Sequence, residues 1–206
     1  TLNLLVQGGT ARAEAPLALR ALGVSGGSLQ ILQSVSSAAA SSYSGGTIQI
    51  FGGTLDFSAA LTINVAGSDR LISCESGCSG GALRLLAGAD VGINGSFKAA
   101  LTGGLPLILD DPAARLGIGT GAGLELSGAD QLRRGTLVVD GALTRATGAL
   151  AVGNGTALSL SGNGTLRAAA GITLNATVAP GNAGIGQLTL DGPSAISGGE
   201  LRMDLA

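Results

Sequence analysis

The fold is decided by the stretch Ala176-Thr177-Val178-Ala179-Pro180-Gly181-Asn182-Ala183-Gly184-Ile185-Gly186-Gln187-Leu188-Thr189-Leu190-Asp191-Gly192. It reads as a strand, a proline-glycine-asparagine turn, a glycine-rich link, a second strand and a further turn. Proline presets one turn dihedral and glycine supplies the positive φ that most side chains resist. The same grammar of short strands punctuated by glycine runs back through most of the chain.

Upstream, Gly45-Gly46-Thr47-Ile48-Gln49-Ile50 repeats the pattern of Gly26-Gly27-Ser28-Leu29-Gln30-Ile31. Gly52-Gly53-Thr54-Leu55-Asp56-Phe57 and Leu61-Thr62-Ile63-Asn64-Val65 follow. Alternate residues are apolar: Ile48 and Ile50, Leu55 and Phe57, Leu61 and Ile63. Period two places these on one face, with Gln49, Asp56 and Thr62 on the other. Leu124-Glu125-Leu126, Thr136-Leu137-Val138-Val139, Leu158-Ser159-Leu160 and Ile172-Thr173-Leu174 continue the series. The breaks between later strands hold Asp140-Gly141, Asn154-Gly155, Ser161-Gly162 and Asn163-Gly164.

Strands this short, one or two glycines apart, leave no room for helical crossovers. They suit either antiparallel hairpins or stacked coils. Strand starts recur every six to thirteen residues, roughly, and three such steps make a coil of about twenty residues, within the range of repeat architectures. The expectation is an all-β, right-handed parallel β-helix with three short strands per coil, each coil burying its apolar face against its neighbours. The alternative is an antiparallel sandwich or barrel, which Asn-Gly turns would also serve.

Composition agrees with a thin core. Of 206 residues, 37 are Gly, 2% are aromatic and 45% are hydrophobic. Three segments break the pattern and are expected as loop excursions: residues 11–22, where Pro16 interrupts a helix-favouring run; residues 34–44, rich in Ser and Ala and holding the single Tyr43; and residues 66–80. Residues 1–206 are expected to form one domain, an interior piece of a longer exoprotein. Glu200 to Leu205 stops in mid-pattern, and uncapped ends of such a fold recruit further β structure, so end-to-end or lateral self-association is expected.

Two motifs carry a family resemblance. Leu126-Ser127-Gly128-Ala129-Asp130-Gln131-Leu132-Arg133-Arg134-Gly135-Thr136-Leu137-Val138-Val139-Asp140-Gly141 resembles the passenger-associated repeat of autotransporters. Residues 154–192 resemble the run of strands ending in "APGN…G-x-L-T-L-x-G" in autotransporter passenger domains and filamentous-haemagglutinin-like exoproteins of Gram-negative bacteria. The resemblance covers residues 124–205 and is generic before them. It implies a secreted or surface-displayed protein. Its expected role is non-enzymatic, in adhesion or surface structure, as a β-helical stalk. The implied partners are surface molecules or glycans of a host or neighbouring cell.

Side-chain chemistry is sparse. The chain has no His, which excludes Ser-His-Asp and Cys-His catalysis and His-ligated zinc. No phosphate-binding Gly-Lys motif is present. No cofactor and no metal are expected. Net charge is −2, and Arg133-Arg134 is the only adjacent basic pair, so nothing tracks a nucleic-acid backbone. No apolar run is long enough to span a bilayer.

Parallel β-helices also carry polysaccharide lyases and hydrolases, and this is the rival reading; a structural filament subunit is a third. The adjacent acids Asp110-Asp111 point to opposite faces if they lie on a strand and cannot converge on one glycosidic bond. With Pro112 following, they read as a turn. Asn94, Asn154, Asn163 and Asn175 each open a glycosylation sequon, and turn requirements explain three of them without sugar. Cys74 and Cys78 flank a Ser-Gly turn that lets their Cα atoms approach to the 4.4–6.8 Å or so that a disulfide needs. In the oxidising compartment that the resemblance implies, they are expected to be bonded.

Overall fold

The computed structural model describes residues 2–75, 80–181 and 185–202. The strands in chain order are β1 (Leu2–Val6), β2 (Thr10–Ala13), β3 (Leu17–Ile31), β4 (Val35–Ser37), β5 (Ser41–Ile50), β6 (Thr54–Phe57) and β7 (Ala60–Val65). They continue with β8 (Arg70–Cys74), β9 (Ala82–Leu85), β10 (Asp90–Gly95), β11 (Lys98–Thr102), β12 (Leu107–Ile118), β13 (Gly123–Leu126) and β14 (Gln131–Val139). The last are β15 (Ala142–Arg145), β16 (Leu150–Val152), β17 (Leu158–Gly162), β18 (Thr165–Ala168), β19 (Ile172–Pro180), β20 (Thr189–Asp191) and β21 (Ser194–Leu201). Among the described residues the only helix is one 3-10 turn, Gly155–Ala157.

Every ladder between these strands is parallel, and all belong to one hydrogen-bonded sheet. The ladders close on themselves. β3 pairs with β5, β5 with β7, β7 with β10 and β10 with β12. From β12 the pairing returns through β9, β6 and β4 to β3. The result is a closed eight-stranded parallel barrel with the other strands outside it. The expectation of an open right-handed β-helix, built from three separate short strands per coil, is corrected by this closure.

The physical reason lies in the long strands. β3 has 15 residues and β12 has 12. β3 pairs with β4 through Leu17, Ala18 and Leu19, and with β5 further along, so one strand joins two walls. Gly26-Gly27 and Gly45-Gly46 bend β3 and β5 without ending them. Gly27 and Gly46 adopt φ of 68° and 77°. A Cβ on Gly46 would lie 2.4 Å from the Gly27 carbonyl oxygen, and one on Gly27 would lie 2.4 Å from that of Gly9. These positions therefore need glycine twice over, for dihedral and for space.

The interior is built of apolar columns running across the ladders. Leu61, Val91, Leu116, Leu137, Leu160 and Val178 occupy one register position on six strands. Leu29, Ile48, Ile72 and Leu101 form another. All are buried, and each such side chain contributes about 1.5–3 kcal/mol by leaving water. The period-two assignment is visible here: Ile48, Ile50, Leu55, Phe57, Leu61 and Ile63 all face the core. Asp56 is buried too, because the Arg84 guanidinium on the facing strand covers it with two hydrogen bonds, Nε to Oδ1 at 2.7 Å and Nη2 to Oδ2.

Residues 11–22, expected as a loop, are mostly strand, in β2 and the first part of β3. Residues 34–44 contribute β4 and the start of β5. There Ser37 and Ser41 are buried and bonded to each other at 2.8 Å, which lets a polar stretch enter the interior. Tyr43 is also interior; its hydroxyl has the Leu71 and Gly46 carbonyls at 2.8 and 2.9 Å as alternative acceptors for its single proton, and receives the Leu71 N–H at 3.1 Å. Within residues 66–80, a turn leads into β8, and residues 76–79 lie outside the described part.

Candidate functional site

Asp110-Asp111-Pro112 lies inside β12, not in a turn. The register of β12 against β14 shifts between Asp110 and Arg115, so the N–H that Pro112 lacks falls where the ladder is already irregular. Asp110 accepts a 2.7 Å hydrogen bond from Arg134 Nε, and Asp111 Oδ1 accepts the Ala113 N–H. The two carboxylates serve different local contacts and do not converge on a shared point.

The same use of acids recurs. Asp90 pairs with Arg115 at 2.9 Å, Asp191 with Arg167 at 2.6 Å, and Asp130 with Arg145. Asp130 is nearly enclosed; burial raises its pKa above the usual carboxylate value, against the opposing pull of the Leu107 N–H and Arg145. In each case the cation sits on a different strand from the acid or in its flanking turn, so the charges tie the sheet together.

Two open grooves mark the outer surface. One, of about 230 Å³, is floored by Gly92 and Gly117, which face each other across β10 and β12, and rimmed by Asn94, Arg115 and Asp140. The other, of about 320 Å³, crosses β11, β13 and β15. Its floor is Gly123 and Ala142, in register with Lys98. Its walls are Phe97, Lys98, Glu125 and Thr144, with Asp69 at one end. Lys98 Nζ is bonded to Glu125 Oε2, while its backbone N–H donates to Asp69 Oδ1 at 3.0 Å. The Glu125 hydrogen bond raises the Lys98 pKa, partly offset by burial and helped by the nearby Asp69 charge.

Of the smaller groove's residues the sequence singled out Asn94, as a sequon asparagine, and in the larger groove it singled out none of Phe97, Lys98, Gly123 and Glu125 as a site. Lys98 is the only lysine of the chain, which is a weak signal. Its partner Glu125 lies 27 residues away, and no local motif spans such a distance.

Cys74 ends β8 and packs half-buried against the core. Cys78 lies outside the described residues, and so does the expected bridge between them. Asn182 of the Pro-Gly-Asn turn lies outside them as well; Gly181 before it bridges to Gly162. Of the sequon asparagines, Asn163 accepts the Gln187 N–H at 3.1 Å, a turn-stacking role. Asn154 precedes the 3-10 turn without a side-chain cap bond. Asn94 lines the smaller groove and Asn175 is half-buried.

No family model, curated protein or solved structure matches this chain.

Proposed function

We propose that this chain is a non-enzymatic scaffold of a secreted or surface-displayed protein of a Gram-negative bacterium, acting in adhesion or surface structure. The observation that supports this reading is the use of the acids. Asp56, Asp90, Asp110, Glu125, Asp130 and Asp191 are each held by a cation from another segment of the chain. A carboxylate engaged by a guanidinium is poorly placed to donate or abstract a proton. Its effect here is to lock neighbouring strands, which suits a rigid surface that displays groups. The compartment rests on the two sequence motifs of residues 126–141 and 154–192.

Two measurements test the proposal. Incubation with neutral and acidic polysaccharides should release no product. Cells displaying the full-length protein should bind surfaces or other cells more than cells lacking it. Product release abolished by Asp110→Ala or Asp111→Ala would refute the non-enzymatic reading. Fractionation that leaves the protein in the cytoplasm would refute the compartment.

A further inference from the structure

The larger groove carries an inference that rests on the reading of the chain as a binding scaffold. Its centre is Gly123, which lies between Lys98 and Ala142 on the outward side of three adjacent strands. Gly123 is not among the positive-φ glycines, and a Cβ there would approach Lys98 Cβ at 3.1 Å with nothing else closer than 3.7 Å. The dihedral at Gly123 therefore does not demand glycine, although a side chain there would press on Lys98 Cβ, which would have to give by a few tenths of an ångström, and the missing side chain is what keeps the groove open.

Phe97 stands at the wall with 45% of its surface exposed. Its carbonyl accepts the Gly123 N–H at 2.9 Å, which ties the aromatic residue to the groove floor. The same groove is lined by oxygen acceptors: the Glu125 and Asp69 carboxylates and the Thr144 hydroxyl. The one cation, Lys98, is already engaged by Glu125.

We propose that this groove binds a neutral saccharide. The apolar face of a pyranose ring lies on Phe97, and its hydroxyls donate to Glu125 and Asp69 and exchange a hydrogen bond with Thr144. An open aromatic face beside a few placed polar groups is the arrangement that small polar ligands with one apolar side require. Two carboxylates against one ammonium leave the groove negative, which disfavours uronic acids, sialic acids and phosphates. The floor strands have neighbours on both sides, so an extended peptide finds no free sheet edge there to pair with. The volume of about 320 Å³ falls at the small end of ligand sites and suits one or two sugar rings.

The test is calorimetric titration of the purified chain with a panel of neutral and acidic mono- and oligosaccharides, with chromatography of the mixtures for products. At least one neutral saccharide should bind. Phe97→Ala and Gly123→Val should each weaken it by about tenfold or more, with circular dichroism unchanged. Absence of neutral-saccharide binding, preference for acidic sugars, or binding undiminished in both variants would each overturn the inference. So would unstructured peptides binding in place of sugars and failing to bind the same variants. Binding accompanied by product release would support the groove and refute the non-enzymatic reading. A chain that promotes cell adhesion yet binds no sugar would refute the groove alone.

Discussion

Tyr43 allows a direct measurement of how dry the interior is. It is the only tyrosine, and the chain has no tryptophan, so the near-ultraviolet absorbance of tyrosinate reports one group. Burial pushes its pKa up to about 12 from 10.0, despite the hydrogen bond with Leu71 and the nearby Arg70 charge, which pull the other way. The folded state thus resists ionisation that the unfolded state undergoes two pH units earlier. Stability attached to Tyr43 is complete below pH 10.0 and is lost as pH rises towards 12. At about 1.4 kcal/mol per unit, the loss is on the order of 2.7 kcal/mol. For a domain of this size that lowers Tm by about 5–11 °C. The assay is an alkaline absorbance titration of native and urea-unfolded protein, with Tm followed over the same range. The native midpoint should lie near 12 and the unfolded midpoint near 10, the ordinary tyrosine value. In Tyr43→Phe this part of the alkaline loss of Tm should vanish, while Tm at neutral pH falls because the Leu71 N–H loses its partner, a cost of about 1–3 kcal/mol. A native midpoint near 10 would refute the placement of Tyr43 in the interior.

Leu137→Ala, in the middle of the six-residue apolar column, should cost about 2–5 kcal/mol in urea unfolding, since neighbours above and below hold the cavity open. Gly46→Ala should destabilise by more than the roughly 1 kcal/mol of a positive-φ penalty, because its Cβ would meet the Gly27 carbonyl; a neutral result would show that the bend in β5 is not as described. Arg145→Ala should cost about 3–5 kcal/mol near neutral pH by stranding the Asp130 carboxylate. That cost should shrink as pH falls through the raised Asp130 pKa, because the neutral acid needs no counter-charge; a pH-independent cost would refute the pairing.

How much was legible depends on the range of the interaction. Alternation in Thr47-Ile48-Gln49-Ile50 and Ala60-Leu61-Thr62-Ile63 is local, and it correctly placed Ile48, Ile50, Leu61 and Ile63 inside, because side chains alternate on any strand. That much establishes an all-β chain with an apolar interior. Glycine was legible as a bend but not as a bend within a strand. Whether Gly45-Gly46 ends β5 or turns it depends on the carbonyl of the neighbouring strand, which the local sequence does not contain. From that ambiguity came the open coil in place of closed ladders, and the loop expected over residues 11–22. Asp110-Asp111-Pro112 was read as a turn for the same reason, since only the register against β14 reveals a place in the ladder where proline fits. The candidate groove was hidden entirely. Gly123, Lys98, Glu125 and Phe97 become neighbours only when β11 and β13 align, so tertiary pairing alone decides that an unremarkable Gly, a single Lys and an exposed Phe share one surface.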